Sequence, residues 1–255
     1  MHALLGRRAF RPGRALLRGA MRVLALALSQ GVHAADGEAI EYKFSTGIYR
    51  LGGGSMPSGS AVDLNLRASA DWGNAWIAWF RSPVLESAQP RIGYDTVWRI
   101  GALRVAPSIQ AASGGFAGGS VALETGESAF VGAGLGRTNL RDYFNLNFDP
   151  NDSWTASAGY RWAPQHYVAV QLVRDNRTHP DQQHIHLLYR QPLADRRRIT
   201  VDLLYKRGLV DDAMVRRHGL TIGYDQNRWE VRLAYDPKVN FTARDMLRLT
   251  LATRF

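Results

Sequence analysis

Seven histidines and many charged side chains are the residues of this 255-residue sequence that could do chemistry. His184 and His186 are separated by one residue, and His179 and Asp181 precede them. Residues two apart on an extended chain point to the same side, so this spacing allows a divalent cation site. Strand geometry would fix only two ligands, and the alternative is that these are ordinary polar residues near a loop. We expect no metal and no cofactor.

A second group of oxygen ligands occurs in the segment Asp149-Pro150-Asn151-Asp152. Carboxylate and amide oxygens suit calcium. The same residue types are those that a tight turn requires, because proline fixes φ and short Asp and Asn side chains bond to the local backbone. We therefore predict a turn here.

The charged residues follow a two-residue rhythm that is clearest between Val62 and Trp72. Apolar residues occupy every second position of this stretch, and the positions between them are polar: Asp63, Asn65, Arg67, Ser69 and Asp71. Alternation of this kind places one residue type on each face of a β-strand. The polar face carries charges of both signs, which is typical of the inside of a membrane barrel.

The rhythm continues from residue 39 to the end of the sequence, and the breaks in it are alternately short and long. Predicted strands cover residues 40–48, 62–72, 75–81, 92–100, 103–112, 121–125, 130–138, 154–162, 167–174, 184–190, 198–206, 219–224, 228–235 and 246–255. Short turns at one end and longer loops at the other are typical of a barrel. We predict an all-β fold, a closed antiparallel transmembrane β-barrel of about fourteen strands. Pro107 within the fifth predicted strand makes that part a weaker strand or a bulge. If the weak fifth and sixth strands are one irregular excursion, the number falls to twelve.

The longer breaks are expected at 52–59, 113–120, 139–152, 175–183, 207–217 and 236–245, of which 139–152 is the longest. Close to it, three glycines share the inner face of one predicted strand: Gly132, Gly134 and Gly136. A row without side chains leaves room for a neighbouring side chain or loop to fold inward.

The last strand, Met246 to Phe255, is the most informative segment. Its odd positions are apolar or Thr and end in Phe, whereas Arg248 and Arg254 lie on the other face. Such a strand would aggregate in water unless both edges are paired and its apolar face meets lipid. The segment resembles the assembly signal of Gram-negative outer-membrane β-barrel proteins. The resemblance implies a place in the cell outer membrane, with outer-membrane lipid, lipopolysaccharide and the barrel assembly machinery as partners, and an even strand number implies both ends in the periplasm.

The first 34 residues read as a cleavable signal peptide, with six arginines, the apolar run Val23 to Leu28 and a small-residue site at Val32-His33-Ala34. Residues 35–255 then form one barrel domain. Removal of the signal lowers the formal net charge from +10 to +4, because residues 1–34 contain no acid. No basic stripe interleaved with aromatics remains, so we expect no nucleic-acid partner. The sequence fixes no oligomeric state.

The inward face of the predicted strands is rich in charge. Its predicted pore-lining residues are Lys43, Arg67, Asp71, Asp95, Arg99, Arg161, Arg190, Arg198, Asp202, Arg232 and Arg248. Buried charges need partners or water. Two interpretations follow: the charges pair across strands and hold the wall, or they line a wetted pathway that weakly favours anions.

Aromatic residues cluster on the apolar face at the ends of strands. Those at the turn side form a predicted membrane girdle: Trp72, Trp98, Trp162, Tyr189, Tyr224, Trp229 and Phe255. Trp79, Trp154, Tyr205 and Tyr235 lie at the loop side. Amphipathic rings prefer the headgroup level of a bilayer.

The function that fits these features is a small porin-like channel for passive diffusion of hydrophilic solutes, or a structural envelope barrel, and not an enzyme. The alternative is a lipid-modifying hydrolase with His184 or His186 as its base. Outer-membrane phospholipases carry His and Ser two residues apart on one strand. None of the histidines from His166 onward is followed by Ser at the next two positions, so this sequence departs from that pattern.

Overall fold

The computed structural model describes residues 40–53, 56–144, 146, 151–210 and 212–255. The predicted signal peptide lies outside these residues, and so do Asp149 and Pro150 of the predicted turn. Within them the chain forms one sheet of fifteen strands. The strands are β1 (Glu41–Gly53), β2 (Met56–Ala70), β3 (Gly73–Ser82), β4 (Ser87–Asp95), β5 (Trp98–Ile100), β6 (Leu103–Ala112), β7 (Phe116–Thr125), β8 (Ala129–Thr138), β9 (Ser153–Ala163), β10 (His166–Asp175), β11 (Gln183–Pro192), β12 (Arg197–Val210), β13 (Ala213–Gln226), β14 (Trp229–Asp236) and β15 (Asp245–Arg254).

The sheet closes on itself. Strand β1 pairs antiparallel with β15, from Lys43 opposite Arg254 to Gly52 opposite Asp245. On the far side, β4 and β5 both pair with β6, as the two pieces of one spanning strand. The described chain is therefore a closed antiparallel barrel of fourteen spanning strands, which confirms the predicted fold and the larger of the two predicted strand numbers.

Proline explains why the spanning strand is split into β4 and β5. Pro107 of β6 lies between Ser108, which pairs with Asp95, and Val105, which pairs with Trp98. Because proline has no N–H to donate, the ladder is interrupted at this point. Only the Thr96 N–H bonds to the Pro107 carbonyl, at 3.2 Å. The irregularity expected in the fifth strand thus appears in its neighbour.

Side chains alternate between the two faces of the barrel as predicted. In β15, Leu247, Leu249 and Leu251 point outward and are exposed, whereas Met246 and Ala252 point inward and are buried. A closed sheet satisfies the backbone hydrogen bonds of every strand, which is what a bilayer demands of a structure that spans it. No helix among the described residues is long and apolar enough to cross a membrane.

The two ends of the barrel differ. The end with short turns, which we name the turn end, also holds the start of β1 and the end of β15. At the opposite loop end, the longest connection is 139–152, as predicted. The predicted breaks at 52–59, 113–120 and 207–217 are wrong in extent, because β1 and β2 reach Gly53 and Met56, β7 begins at Phe116 and the β12–β13 ladder continues to Val210 and Ala213. Backbone pairing needs no side-chain rhythm, so it continues through glycine-rich stretches.

Candidate functional site

The interior of the loop end is filled by apolar side chains. The buried members of this cluster, which we name the apolar plug, are Tyr49, Leu51, Ala61, Phe80, Leu146, Val239 and Met246. Val84, Leu85 and Phe144 pack against them. Three connections thus contribute to the plug: the short turn after β3, the long loop 139–152 and the loop between β14 and β15. Together they obstruct the barrel from within at this end.

Two polar side chains on the inner face of β4 hold the long loop inside. Gln89 donates from its amide nitrogen to the Asp142 carbonyl at 2.9 Å and accepts the Phe144 N–H at 2.9 Å. Arg91 donates to the Phe144 carbonyl at 3.1 Å and pairs with the buried carboxylate of Asp63. Two consecutive inward residues therefore satisfy the backbone of the loop where it meets the wall.

Aromatic stacking adds to these hydrogen bonds. The Phe144 ring stacks on Phe80 with ring centres 6.3 Å apart, and Tyr143 stacks on Phe116 at 4.3 Å. The Tyr143 hydroxyl donates to the Gln110 side-chain oxygen at 3.0 Å. Burial raises the pKa of the Tyr143 phenol, so the hydroxyl remains a donor at neutral pH. The loop is thus anchored on β3, β4, β6 and β7.

The base of the long loop is fixed by Asp152. Its carboxylate accepts hydrogen bonds from the Thr138 hydroxyl, from the Thr138 N–H at 3.2 Å and from Arg177 at 3.0 Å. Burial alone would raise the pKa of the Asp152 carboxyl, but the hydrogen bonds from Thr138 and Arg177 outweigh it and hold the pKa below its usual value. The carboxylate is therefore charged at neutral pH.

The glycine row provides the predicted space. A Cβ atom added to Gly136 would lie 2.4 Å from the backbone oxygen of Asn151, so only glycine lets the end of the loop approach β8 this closely. Added Cβ atoms at Gly132 and Gly134 would meet the hydroxyls of Ser157 and Thr155 at 2.7 and 2.6 Å. The row therefore accommodates both a loop and neighbouring side chains.

The histidines singled out in the sequence lie on the inner wall. His184 is fully buried, and its ring centre lies 5.3 Å from that of Phe241. His186 meets the Asp202 carboxylate through Nδ1 at 2.9 Å. A lipid would meet the outer face of the barrel, so neither ring is placed for the hydrolase that the sequence left as an alternative. Among the described residues, no three His, Cys, Asp or Glu side chains group in a way that would hold a metal.

The turn end of the interior is built differently. It contains a cavity of about 790 Å³, lined by turns and by residues of β5 to β11. Its charged lining residues are Arg99, Arg104, Arg161, Arg190, Glu124 and Glu127. Arg104 and Arg161 share the Glu124 carboxylate, at 2.8 and 3.2 Å. We name this space the turn-end vestibule.

Aromatic rings support two of the vestibule arginines. The Arg161 guanidinium lies 4.5 Å from the ring centre of Phe130, and that of Arg190 lies 5.2 Å from Tyr167. Stacking orients a planar guanidinium and leaves its edge available for anions. The vestibule therefore presents fixed positive charge to a solute.

Acids and bases pair across strands on the facing wall. Glu230 contacts Lys43 of β1 at 2.6 Å and Arg254 of β15 at 3.4 Å, and it also contacts Arg232 of its own strand at 2.7 Å. Asp225 contacts Arg198 at 2.9 Å. On this side the charges hold neighbouring strands together, which is the first of the two interpretations drawn from the sequence.

The structure places the predicted pore-lining residues in several different settings. Five of them pair across strands: Lys43, Arg67, Asp95, Arg198 and Asp202. Arg232 pairs with Glu230 of its own strand, β14. Arg99, Arg161 and Arg190 line the vestibule. Arg248 lies 5.8 Å from the Tyr49 ring centre. Asp71 is exposed in the turn that follows β2, at the mouth of the barrel instead of on its wall.

Four residues of the interior are absent from the predicted pore lining. Gln89 and Arg91 hold the long loop, and Arg104 and Glu124 line the vestibule. Arg104 and Glu124 lie on the strands that Pro107 weakens in the sequence. The alternation of Arg104 with Leu103 and Val105 was the signal that places it inward.

The predicted girdle residues lie on the outside of the barrel near the turn end. Six of them are exposed: Trp72, Trp98, Trp162, Tyr189, Trp229 and Phe255. Tyr224 is partly exposed. Trp72 stacks on Tyr94 at 6.2 Å and Phe255 on Tyr42 at 5.9 Å, so aromatic rings pair at two places on the rim.

No protein-family model and no curated protein sequence matches the chain. Among solved structures, it is similar to the outer membrane protein Omp33 of Acinetobacter baumannii, with 9% identity and a TM-score of 0.54 over 86% of this chain and 99% of that chain. It also aligns with a mutant of the Rh. blastica porin, with 10% identity and a TM-score of 0.49 over 86% of this chain and 100% of the other. For the KdgM porin the values are 11% and 0.46, over 83% and 99%. The similarity to Omp33 concerns the fold.

Proposed function

We propose that this chain is a porin-like channel of the cell outer membrane, through which small hydrophilic solutes diffuse with a mild preference for anions. The observation that carries the proposal is the turn-end vestibule, a space of about 790 Å³ inside a closed barrel that is lined by charged side chains. Unpaired charges in a barrel require water, and a wetted, charged lumen serves the passage of ions.

The outer surface supports the membrane placement. Outward strand positions are apolar, aromatic rings lie near the strand ends, and the barrel has no free edge between β1 and β15. We expect assembly of the exported chain through its last strand, Met246 to Phe255, by the barrel assembly machinery. The outer membrane location of Omp33 is in keeping with this placement.

The preference for anions follows from the vestibule lining. Four arginines and two glutamates line it, and two of the arginines share one glutamate. A charged lining biases the passage of ions of the opposite sign. The excess of two positive charges supports a mild preference and not exclusive selection.

The apolar plug limits the rate and size of what passes. It lies in series with the vestibule, so a solute that crosses the barrel must pass the long loop. We therefore expect a small conductance. If the apolar plug blocks the lumen permanently, the protein has only a structural role in the envelope.

Single-channel recording tests the proposal. Folded protein purified from the outer membrane of an expression host is inserted into a planar bilayer under a salt gradient. Discrete current steps support the channel, and a reversal potential of the sign expected for preferential anion permeation supports the preference. Silence from barrels that retain their resistance to unfolding in detergent would contradict it and favour the structural role.

A further inference from the structure

Outside the barrel, arginine occupies the loop-side end of several strands. Six outward-facing arginines are exposed there: Arg50, Arg81, Arg137, Arg174, Arg207 and Arg216. On β1, β3, β8 and β10 the arginine follows the last apolar outward position, as Arg50 follows Ile48 on β1. On β12 and β13, exposed Leu209 and Met214 lie one outward position beyond Arg207 and Arg216. Positive charge therefore lies at or just inside the loop-side border of the apolar surface.

Three of these arginines and one glutamine stand side by side on four consecutive strands. Arg174 of β10 is opposite Gln183 of β11, Gln183 is opposite Arg207 of β12, and Arg207 is opposite Arg216 of β13. Neighbouring strands are about 4.8 Å apart, so the four side chains span about 15 Å of the outer surface. We name these four residues the arginine row.

The row is unfavourable in isolation. Arg207 and Arg216 are directly opposite, and like charges in that position destabilise a sheet. In the described residues of β10 to β13, the outward positions carry no Asp or Glu. Asp181 lies in the loop that joins β10 and β11, and its carboxylate accepts a hydrogen bond from the Leu209 backbone N–H at 2.7 Å. The row therefore holds concentrated positive charge that an anion would stabilise.

The residues next to the arginine row indicate that the anion belongs to a lipid headgroup. One step closer to the middle of each strand are Leu172, Ile185, Tyr205 and His218. The Tyr205 and His218 rings lie 5.3 Å apart. Aromatic residues bordering an apolar surface mark the headgroup level of a bilayer. The row thus lies at the height of lipid headgroups.

We propose that the arginine row binds the phosphate group of a phosphorylated lipid in the loop-side leaflet, which in the outer membrane is lipopolysaccharide. Guanidinium groups bind phosphate through paired, charge-assisted hydrogen bonds. Gln183 adds an amide donor between Arg174 and Arg207, and the Arg174 Nε–H donates to the Pro180 carbonyl at 2.9 Å, which orients its guanidinium. The inference rests on the membrane placement proposed above and not on conduction.

The test compares two double variants of the full-length, folded protein. In the first, Arg207→Gln and Arg216→Gln remove the opposed pair. In the matched control, Arg50→Gln and Arg81→Gln remove the same charge from the same end, but Arg50 is opposite Ser60 and Arg81 opposite Val62. Lipid A and its dephosphorylated form are titrated onto each protein in zwitterionic detergent, and binding is read by native mass spectrometry.

We expect the Arg207 and Arg216 variant to bind lipid A about tenfold more weakly and the control variant less than about twofold more weakly. The first variant should also unfold at a higher temperature than the parent in lipid-free detergent, because the like-charge repulsion is gone. With lipid A present, the order should reverse.

Three results would overturn the inference. They are equal weakening in the control variant, equal binding of dephosphorylated lipid, and full competition by inorganic phosphate at the same phosphate concentration, which would indicate a site for free anions. Barrels that conduct no current but keep the lipid preference would contradict the channel alone.

Discussion

The two ends of the barrel interior are built from opposite kinds of contact. At the loop end, the apolar plug packs around an inward loop, and the charges there are buried in close pairs such as Arg91 with Asp63. At the turn end, the vestibule is open and its charged side chains share partners on the wall or face the cavity. Size and charge are therefore controlled at different places along the barrel: the plug restricts what fits, and the vestibule biases which sign enters.

The largest expected effect comes from removing the long loop. Replacement of residues 140–150 by a short Gly-Ser linker should raise the single-channel conductance roughly threefold or more, because the loop that packs in the apolar plug is lost. Planar bilayer recording measures the change.

Point variants in the same loop refine this test. Phe144→Ala removes the ring that stacks on Phe80 and should raise conductance and open-channel noise. Leu140→Ala should change neither, because that side chain is 50% exposed. Unchanged conductance after loop replacement would show that the restriction lies elsewhere.

The buried and the exposed ion pairs should differ in stability. Arg91→Gln leaves the Asp63 carboxylate buried without its cation, and we expect a loss of about 3–5 kcal/mol in the free energy of unfolding. Arg67→Gln breaks the pair with Asp95, whose side chains are 36% and 32% exposed, and should lose about 1 kcal/mol or less. Denaturant unfolding followed by tryptophan fluorescence in detergent compares the two. Equal losses in the free energy of unfolding would mean that the ion pair at the loop end is as accessible to water as the one at the turn end.

The vestibule arginines should control selectivity with little effect on conductance. A variant with Arg99→Gln, Arg161→Gln and Arg190→Gln should lower the anion-to-cation permeability ratio by about twofold. Reversal potentials in a salt gradient give the ratio. Three outward substitutions, Arg50→Gln, Arg81→Gln and Arg137→Gln, remove the same charge from outside the lumen and should leave the ratio unchanged.

The smallest expected effect is a pH dependence at the base of the long loop. The pKa of Asp152 is lowered by folding, so its stabilising contribution is complete above the ordinary Asp range and is lost as the pH falls through the folded value. The contribution is about 1 kcal/mol or less, since the side chain of its partner Arg177 is 41% exposed. Acidification to about pH 3 should speed protease cleavage of the loop. In the Asp152→Asn variant, the protease should cleave the loop faster at neutral pH, and acidification should not increase the cleavage rate further.

The strand pattern made the barrel predictable, because alternation between apolar and polar residues survives in nearly every strand. Val62 to Ala70 and Leu247 to Leu251 show this rhythm and have the orientation that it predicts. The hairpins at Gly53 and Val210 were not predictable in the same way, since backbone pairing extends through residues whose side chains carry no rhythm.

The sequence predicted room for an inward loop but not the contacts that hold it. The glycine row indicated room inside, but which side chains hold the loop depends on contacts far apart in the chain, such as Gln89 with Asp142 and Phe144. The apolar and aromatic residues of the loop, among them Tyr143, Phe144 and Leu146, were the sign that it returns to a packed interior. Single-sequence periodicity contains no information on such pairings.

The seam between β1 and β15 has a consequence for the folding rate. It joins Lys43 to Arg254, residues near opposite ends of the described chain, whereas every other ladder joins strands that are close in sequence. Contacts between distant residues form slowly, because chain entropy is lost before they contribute. Hairpins should therefore accumulate first and the seam last, and until it forms both strands expose an unpaired edge. Substitutions along the seam would prolong that aggregation-prone interval even where they leave the finished barrel unchanged.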